Sequence, residues 1–183
     1  MASILNVDQI NNAAGTSAIT IDSNGNALMP GHVVQVVNTV YSTLFTHNNT
    51  SNVYSSNITG LATTITPTST SNKILIVGSV MFATGHSDYG ALANIRCLRN
   101  STQIGTDYFF AASAGYDSSD SASASGCGTC SYLDSPATTS AITYNFQIRQ
   151  QISGGANIPA YINGKQGGVH RGQSMITLME IAQ

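Results

Sequence analysis

The sequence predicts an all-β protein built as an antiparallel sandwich or barrel, and three observations lead there. Strand-like segments follow one another at short spacing from His32 to Ile181, with turn-forming clusters between them and no convincing amphipathic helix. The longest apolar run, Lys73–Ala83, is rich in β-branched residues and contains Gly78, which suits a pleated strand and weakens a helix. Charged residues make up only 8% of the chain, against roughly 25% in an average soluble domain. Ser, Thr and Asn, 59 of the 183 residues, stand in their place and favour neutral polar surfaces.

Residues 1–31 read as a unit apart from the rest. Ile4–Ile10 and Ser17–Asp22 are short alternating segments, with Asn11–Gly15 and Ser23–Asn26 as turns. So few apolar residues cannot bury a core alone, so the segment must lie against symmetry mates, another protein or the main domain. Pro30-Gly31 marks the boundary, and residues 32–183 form the main domain.

Within that domain His32–Thr43 is the first strand and Ile58–Thr66 the second. Lys73–Ala83 is expected to be buried on both faces, which requires a sheet above it or neighbouring subunits around it. Ala91–Leu98 and Gln103–Thr106 form a hairpin turned by Arg99–Thr102, and Tyr108–Ala111 adds a further strand. Ala112–Gly126 reads as a long polar loop. Thr129–Leu133, Ala141–Gln150, Ile158–Ile162 and Ser174–Ile181 complete the series. In the last, Met175, Thr177 and Met179 should face one way and Ile176, Leu178 and Glu180 the other.

A formal charge of −2, with six scattered Lys and Arg residues, predicts no nucleic-acid partner. No apolar run approaches the roughly 18 residues of a membrane span, so no membrane insertion is expected. Met1–Asn6 lacks the charged and apolar regions of a secretory signal. Low charge leaves little electrostatic penalty for packing like subunits together.

The chemistry-bearing residue types form no convincing set. Cys127-Gly128-Thr129-Cys130 has the spacing of half a zinc site, but the other half is missing and Cys97 stands alone, so unpaired thiols are expected. His86-Ser87-Asp88 places three triad residue types side by side, whereas triad members converge from separate elements. Asp117 and Asp120 could serve as paired carboxylates of a sugar hydrolase or as calcium ligands, but they sit in the polar loop without a fixed ligand rhythm. His32, His47 and His170 share no spacing. No catalytic residue, metal or cofactor is therefore assigned. Tyr89 and Tyr116, with Asp117 and Asp120, fall at loop positions where a ring and polar groups suit sugar or protein contacts. Phe109 and Phe110 fit the core or a subunit interface better.

Three stretches carry a family resemblance: Ile65–Ile76, Tyr132–Tyr144 and Ser174–Ile181. They resemble a group of tailed-bacteriophage virion proteins of fibre or decoration type, common in marine and cyanobacterial phages. The opening, with Val7-Asp8-Gln9-Ile10, Ala14-Gly15-Thr16 and Ile21–Gly25, resembles the N-terminal segment of many phage fibre proteins. The resemblance implies a jelly-roll head similar to those of tumour necrosis factor and of the globular head of complement's first component, working as a homotrimer. Residues 1–31 would then anchor the protein to another virion protein of tail or capsid through Ile4, Leu5, Val7, Ile10, Ile19 and Ile21. The expected function is that of a non-enzymatic short tail fibre, its head touching a host surface glycan or protein through Tyr89, Tyr116, Asp117 and Asp120. The alternatives are a capsid decoration protein and a small tail-associated glycan hydrolase. Either way the protein would reside on the virion, after assembly in the host cytoplasm.

Overall fold

The computed structural model describes residues 6–48 except 22, 24 and 26, and residues 53–84, 91–106, 110–113, 125–152, 159–164 and 172–183. These hold fourteen strands and no helix. In chain order they are β1 (Gln9–Asn11), β2 (Ser17–Ile21), β3 (Ala27–Leu28), β4 (Val33–Tyr41), β5 (Phe45–His47), β6 (Ala62–Ile65), β7 (Lys73–Thr84), β8 (Ala91–Arg99), β9 (Thr102–Ile104), β10 (Phe110–Ser113), β11 (Ser125–Asp134), β12 (Ile142–Ile152), β13 (Ala160–Ile162) and β14 (Ser174–Ile181).

Strands β1, β2 and β3 make a small antiparallel sheet of their own. Its first turn is built by Asn12, whose Oδ1 accepts the backbone N–H of Ala14 (3.0 Å) and of Thr16 (2.9 Å), while Gly15 supplies a φ of 82°. This sheet hydrogen-bonds to neither of the larger ones. At the join, the Gly31 N–H donates to the Ala182 carbonyl (2.8 Å) and the Ala182 N–H to the His32 carbonyl (3.0 Å). A cleft of about 1160 Å³ separates the small sheet, at Ser17, Thr20 and Met29, from the Thr68–Asn72 turn of the main body.

The main body is two antiparallel sheets packed face to face. The front sheet runs β4-β14-β7, with β11 on the far edge of β7. The near edge of β7 is shared, β14 taking Lys73–Ser79 and β13 taking Phe82–Thr84, with β5 outside β13. The back sheet runs β6-β12-β8-β10, and β9 pairs with β8 beside β10. Reading the main strands in chain order, β4 lies in front, β6 behind, β7 in front, β8 and β10 behind, β11 in front, β12 behind and β14 in front. That alternation interlocks two Greek keys, the arrangement of a jelly roll.

The core lies between the inner faces. Ile74, Ile76, Val80, Phe82, Ile176 and Leu178 come from the front sheet, and Ile95, Cys97, Ile142, Tyr144, Phe146 and Ile148 from the back, all buried. The alternation expected for Ser174–Ile181 holds: Ile176, Leu178 and Glu180 point inward, Met175, Thr177 and Met179 outward.

Several expectations change. Lys73–Phe82 alternates between buried and half-buried residues before Ala83 and Thr84, both buried, so among the described residues one face is fully covered and the other only in part. Ile58–Thr66 shortens to β6, because residues 58–61 turn instead, with the Leu61 N–H donating to the Ile58 carbonyl (2.8 Å). The polar loop is invaded from both sides: β10 reaches Ser113 and β11 begins at Ser125. The small residues there have a reason, since a Cβ on Gly126 would sit 2.9 Å from the Phe82 ring. Strand β5 was not expected at all.

Candidate assembly surface

The outward residues of the front sheet fall into register across four strands. One row is Val36, Met179, Leu75 and Leu133. The next is Asn38, Thr177, Val77 and Ser131, and the third is Val40, Met175, Ser79 and Thr129. Met81 and Cys127 extend the face beyond them. None of these positions is charged. Val36 is 54% exposed, Leu133 48%, Val40 47% and Met175 40%. The polar members are short and neutral, and Asn38 Nδ2 donates to Thr177 Oγ1 at 2.8 Å. An uncharged sheet face with exposed Val, Leu and Met side chains among short neutral ones is a candidate interaction surface. The back sheet is different outside, carrying Thr64, Thr143, Gln147, Arg96 and Arg149.

Two buried carboxylates close one end of the sandwich in a single register row, Gln35, Glu180, Ile74 and Asp134. Asp134 accepts Arg99 Nη1 (2.9 and 3.1 Å) and the Tyr144 hydroxyl (2.6 Å), joining the layers. Burial first, then the hydrogen bond to Asp134 and its charge, pushes the Tyr144 hydroxyl far above its ordinary pKa, so Tyr144 stays a donor. Glu180, fully buried, accepts Gln35 Nε2 (2.5 Å), the Thr68 N–H (2.7 Å), Thr68 Oγ1 (2.8 Å) and Asn72 Nδ2 (2.7 Å). Burial alone would raise its pKa; the hydrogen bonds overcome that and hold it below the usual carboxylate range.

The cysteine spacing resolves as strand geometry. Cys127 and Cys130 lie three apart on β11, and side chains alternate along a strand, so the two thiols face opposite ways. Cys127 is exposed on the outer face, with Ser79 Oγ at 3.4 Å, while Cys130 packs against the core. Burial pushes the Cys130 thiol up to about 12, and the Cys97 thiol higher still with help from nearby Cys130 and Asp134. Both are protonated, inert thiols at neutral pH.

Of the anchor residues, Ile19 and Ile21 are half-buried in the small sheet, as is Val7 just before it, and Ile10, opposite Ile19, is 46% exposed. Ile4 and Leu5 lie outside the described residues, as do Tyr89, Tyr116, Asp117, Asp120 and His86-Ser87-Asp88. The outer rows escape sequence reading because their members are far apart in the chain. The available signal is local: Val33, Val34, Val36 and Val37 in β4, and Leu75, Ile76 and Val77 in β7, are apolar in both phases of a strand.

No protein-family model matches the chain, and no curated protein matches it. Solved structures of virus particle proteins are similar to it at low identity. Infectious bursal disease virus of the Gx strain is 14% identical with a TM-score of 0.41, covering 91% of this chain and 42% of that one. The Gt strain of the same virus is 12% identical with a TM-score of 0.40, covering 98% of this chain and 52% of that one. Its VP2 subviral particle is 14% identical with a TM-score of 0.37, covering 91% and 42%. The chain thus spans about half, or less, of the length of the proteins it is similar to.

Proposed function

We propose that this chain is a non-enzymatic virion structural protein of the tailed-phage type: a trimeric jelly-roll head on a short N-terminal anchor, serving as a short tail fibre whose head meets the host surface. The observation that supports assembly is the uncharged outer face of the front sheet with its exposed Val, Leu and Met side chains. A single chain leaves Val36, Val40, Leu133 and Met175 in water, and a second copy is the natural cover where so few charges oppose contact. The number three comes from the resemblance to trimeric jelly-roll heads, and the anchor role of residues 1–31 from the resemblance to phage fibre openings. Decoration of the capsid would use the same anchor and the same face. Labelling the protein on intact particles separates tail from head.

The test is sedimentation of the purified protein. The wild type is expected to be a homotrimer, and Met175→Glu with Leu133→Glu to weaken association at least about 100-fold, since it buries uncompensated charge at an interface. Cys127 provides an independent readout: a maleimide should react slowly with it in the trimer and quickly in the double variant. A wild-type monomer with fully reactive Cys127 would refute the assembly.

Deletion of residues 2–31 is expected to leave soluble trimers that no longer attach to particles, as co-sedimentation would measure. Loss of the trimer itself would contradict the division of labour.

A further inference from the structure

The front sheet is left with two long open edges, and they match each other. Beyond β4 on one side and β11 on the other, no strand lies among the described residues. Strand β4 is nine residues long and β11 ten. Neither contains proline, and their one charged residue, Asp134, is buried and taken by Arg99. The back sheet ends differently, in the four residues of β6 on one side and the four of β10 and three of β9 on the other. Short edges, charges and prolines are means by which a sheet avoids pairing with another chain. The long edges of the front sheet use none of them, and only a bulge that leaves Val34 over between Val33 and Gln35 interrupts β4 at its start.

Which backbone groups face those edges follows from the ladder, because N–H and C=O alternate in direction along a strand. The Ala182 carbonyl and N–H bond to Gly31 and His32, on the β4 side, and the Ile176 carbonyl accepts Asn38 Nδ2 from that side (3.2 Å). Ile176, Leu178 and Glu180 therefore bond to Thr39, Val37 and Gln35, and Val36, Asn38 and Val40 turn their backbone groups to the open edge. Met175, Thr177 and Met179 bond to Ser79, Val77 and Leu75. That leaves Ile74, Ile76, Gly78 and Val80 to bond to β11 at Asp134, Tyr132, Cys130 and Gly128. Met81 agrees with this parity: its N–H donates to Ser174 Oγ (3.0 Å) and its carbonyl accepts the Asn163 N–H (2.9 Å), both away from β11. On β11 the backbone groups turned to the open edge thus belong to Cys127, Thr129, Ser131 and Leu133.

Both open edges are therefore lined by residues whose side chains lie on the uncharged outer face. Strands β4, β14, β7 and β11 are successively antiparallel, so β4 and β11 also run in opposite directions. A second copy can set its β11 antiparallel against β4 with its outer face on the same side and outward N–H groups meeting carbonyls. We propose that copies of this chain join edge to edge, β11 of one pairing with β4 of the next to continue the front sheet across the subunit boundary. Such a contact is heterologous, so it closes as a ring or runs on as a filament. The trimer proposed above supplies the closed number, and the inference rests on that self-association for its setting but not for the pairing itself.

The test blocks one edge at a time. Proline is tolerated at a strand position whose N–H is turned out of the sheet, and there it prevents further pairing. Val36→Pro closes the β4 edge and Ser131→Pro the β11 edge, with Val40→Pro and Thr129→Pro as second variants should either fail to fold by circular dichroism. In sedimentation each is expected alone to be a monomer, its association at least about 100-fold weaker than that of the wild type. Val36→Ala, which keeps the N–H, should stay assembled. Mixing the two proline variants at millimolar concentration should give a 1:1 dimer that grows no further, since one intact β4 meets one intact β11 without the effective concentration of a ring. Proline variants that remain trimers would overturn the pairing and leave assembly through the outer face standing. A dimer of either variant alone would assign the contact to like edges and overturn it. A mixture that stays monomeric would do the same, and so would dissociation by Val36→Ala as complete as by Val36→Pro. A wild-type monomer would overturn both proposals.

Discussion

Val80→Asp is expected to abolish the folded head. Val80 is fully buried on the inner face of β7, the strand to which β11, β13 and β14 all bond, and it stands opposite Gly128. A carboxylate there has no counter-charge among the surrounding Ile, Leu and Phe side chains of the core. An uncompensated buried charge costs about 3–5 kcal/mol or more, comparable with the roughly 5–15 kcal/mol by which a domain is stable. Thermal melting by near-ultraviolet circular dichroism should show no cooperative transition. Val80→Ala, which loses only methyl groups, should stay folded at a cost of about 2–3 kcal/mol. Gly78→Asp, also inward on β7, should behave like Val80→Asp. A cooperative melt of Val80→Asp near the wild-type temperature would mean that the layer between the sheets is wet.

Removing the Glu180 carboxylate is the second large effect. Four donors from Gln35, Thr68 and Asn72 converge on it. Glu180→Ala strands those buried donors and should cost about 3–5 kcal/mol at pH 7. Acid should produce part of the same loss in the wild type. Its pKa is lowered in the folded state, so the stabilisation is complete above the unfolded value of about 4.3 and fades as pH falls through the folded one. Denaturant titrations at pH 7 and at successively lower pH should therefore show stability falling below about pH 4. The slope should be shallower in Glu180→Gln, which has no such proton to gain. An identical slope in that variant would assign the acid sensitivity elsewhere.

Much of this fold was legible because alternation is a local property. The faces of β14 and the length of β7 follow from residues within each strand. The double burial expected for β7 is incomplete among the described residues, where Leu75, Val77 and Met81 on its outer face are only half-buried. Gly126 reads as the end of the polar loop, yet it belongs to a strand paired with β7, and only that pairing reveals that a side chain there would meet the Phe82 ring. Strand β5 is held by β13 rather than by any pattern in Phe45-Thr46-His47. The candidate sites were less legible still. The row from Val36 to Leu133 and the open edges of β4 and β11 depend on register between distant segments, which no local pattern encodes.

Strand β14 lies between β4 and β7, both of which precede it in the chain. Asn38 reaches its hydrogen-bond partner Ile176 across 138 positions of sequence. Closing so long a loop costs entropy before any pairing rewards it, which places refolding in the slow, millisecond-to-second regime or beyond. Until β14 docks, β4 and β7 hold open a slot with unbonded amides on both sides. A nascent chain would carry that slot through most of its synthesis, as a target for chaperones and a hazard for premature cross-pairing between neighbours on a polysome.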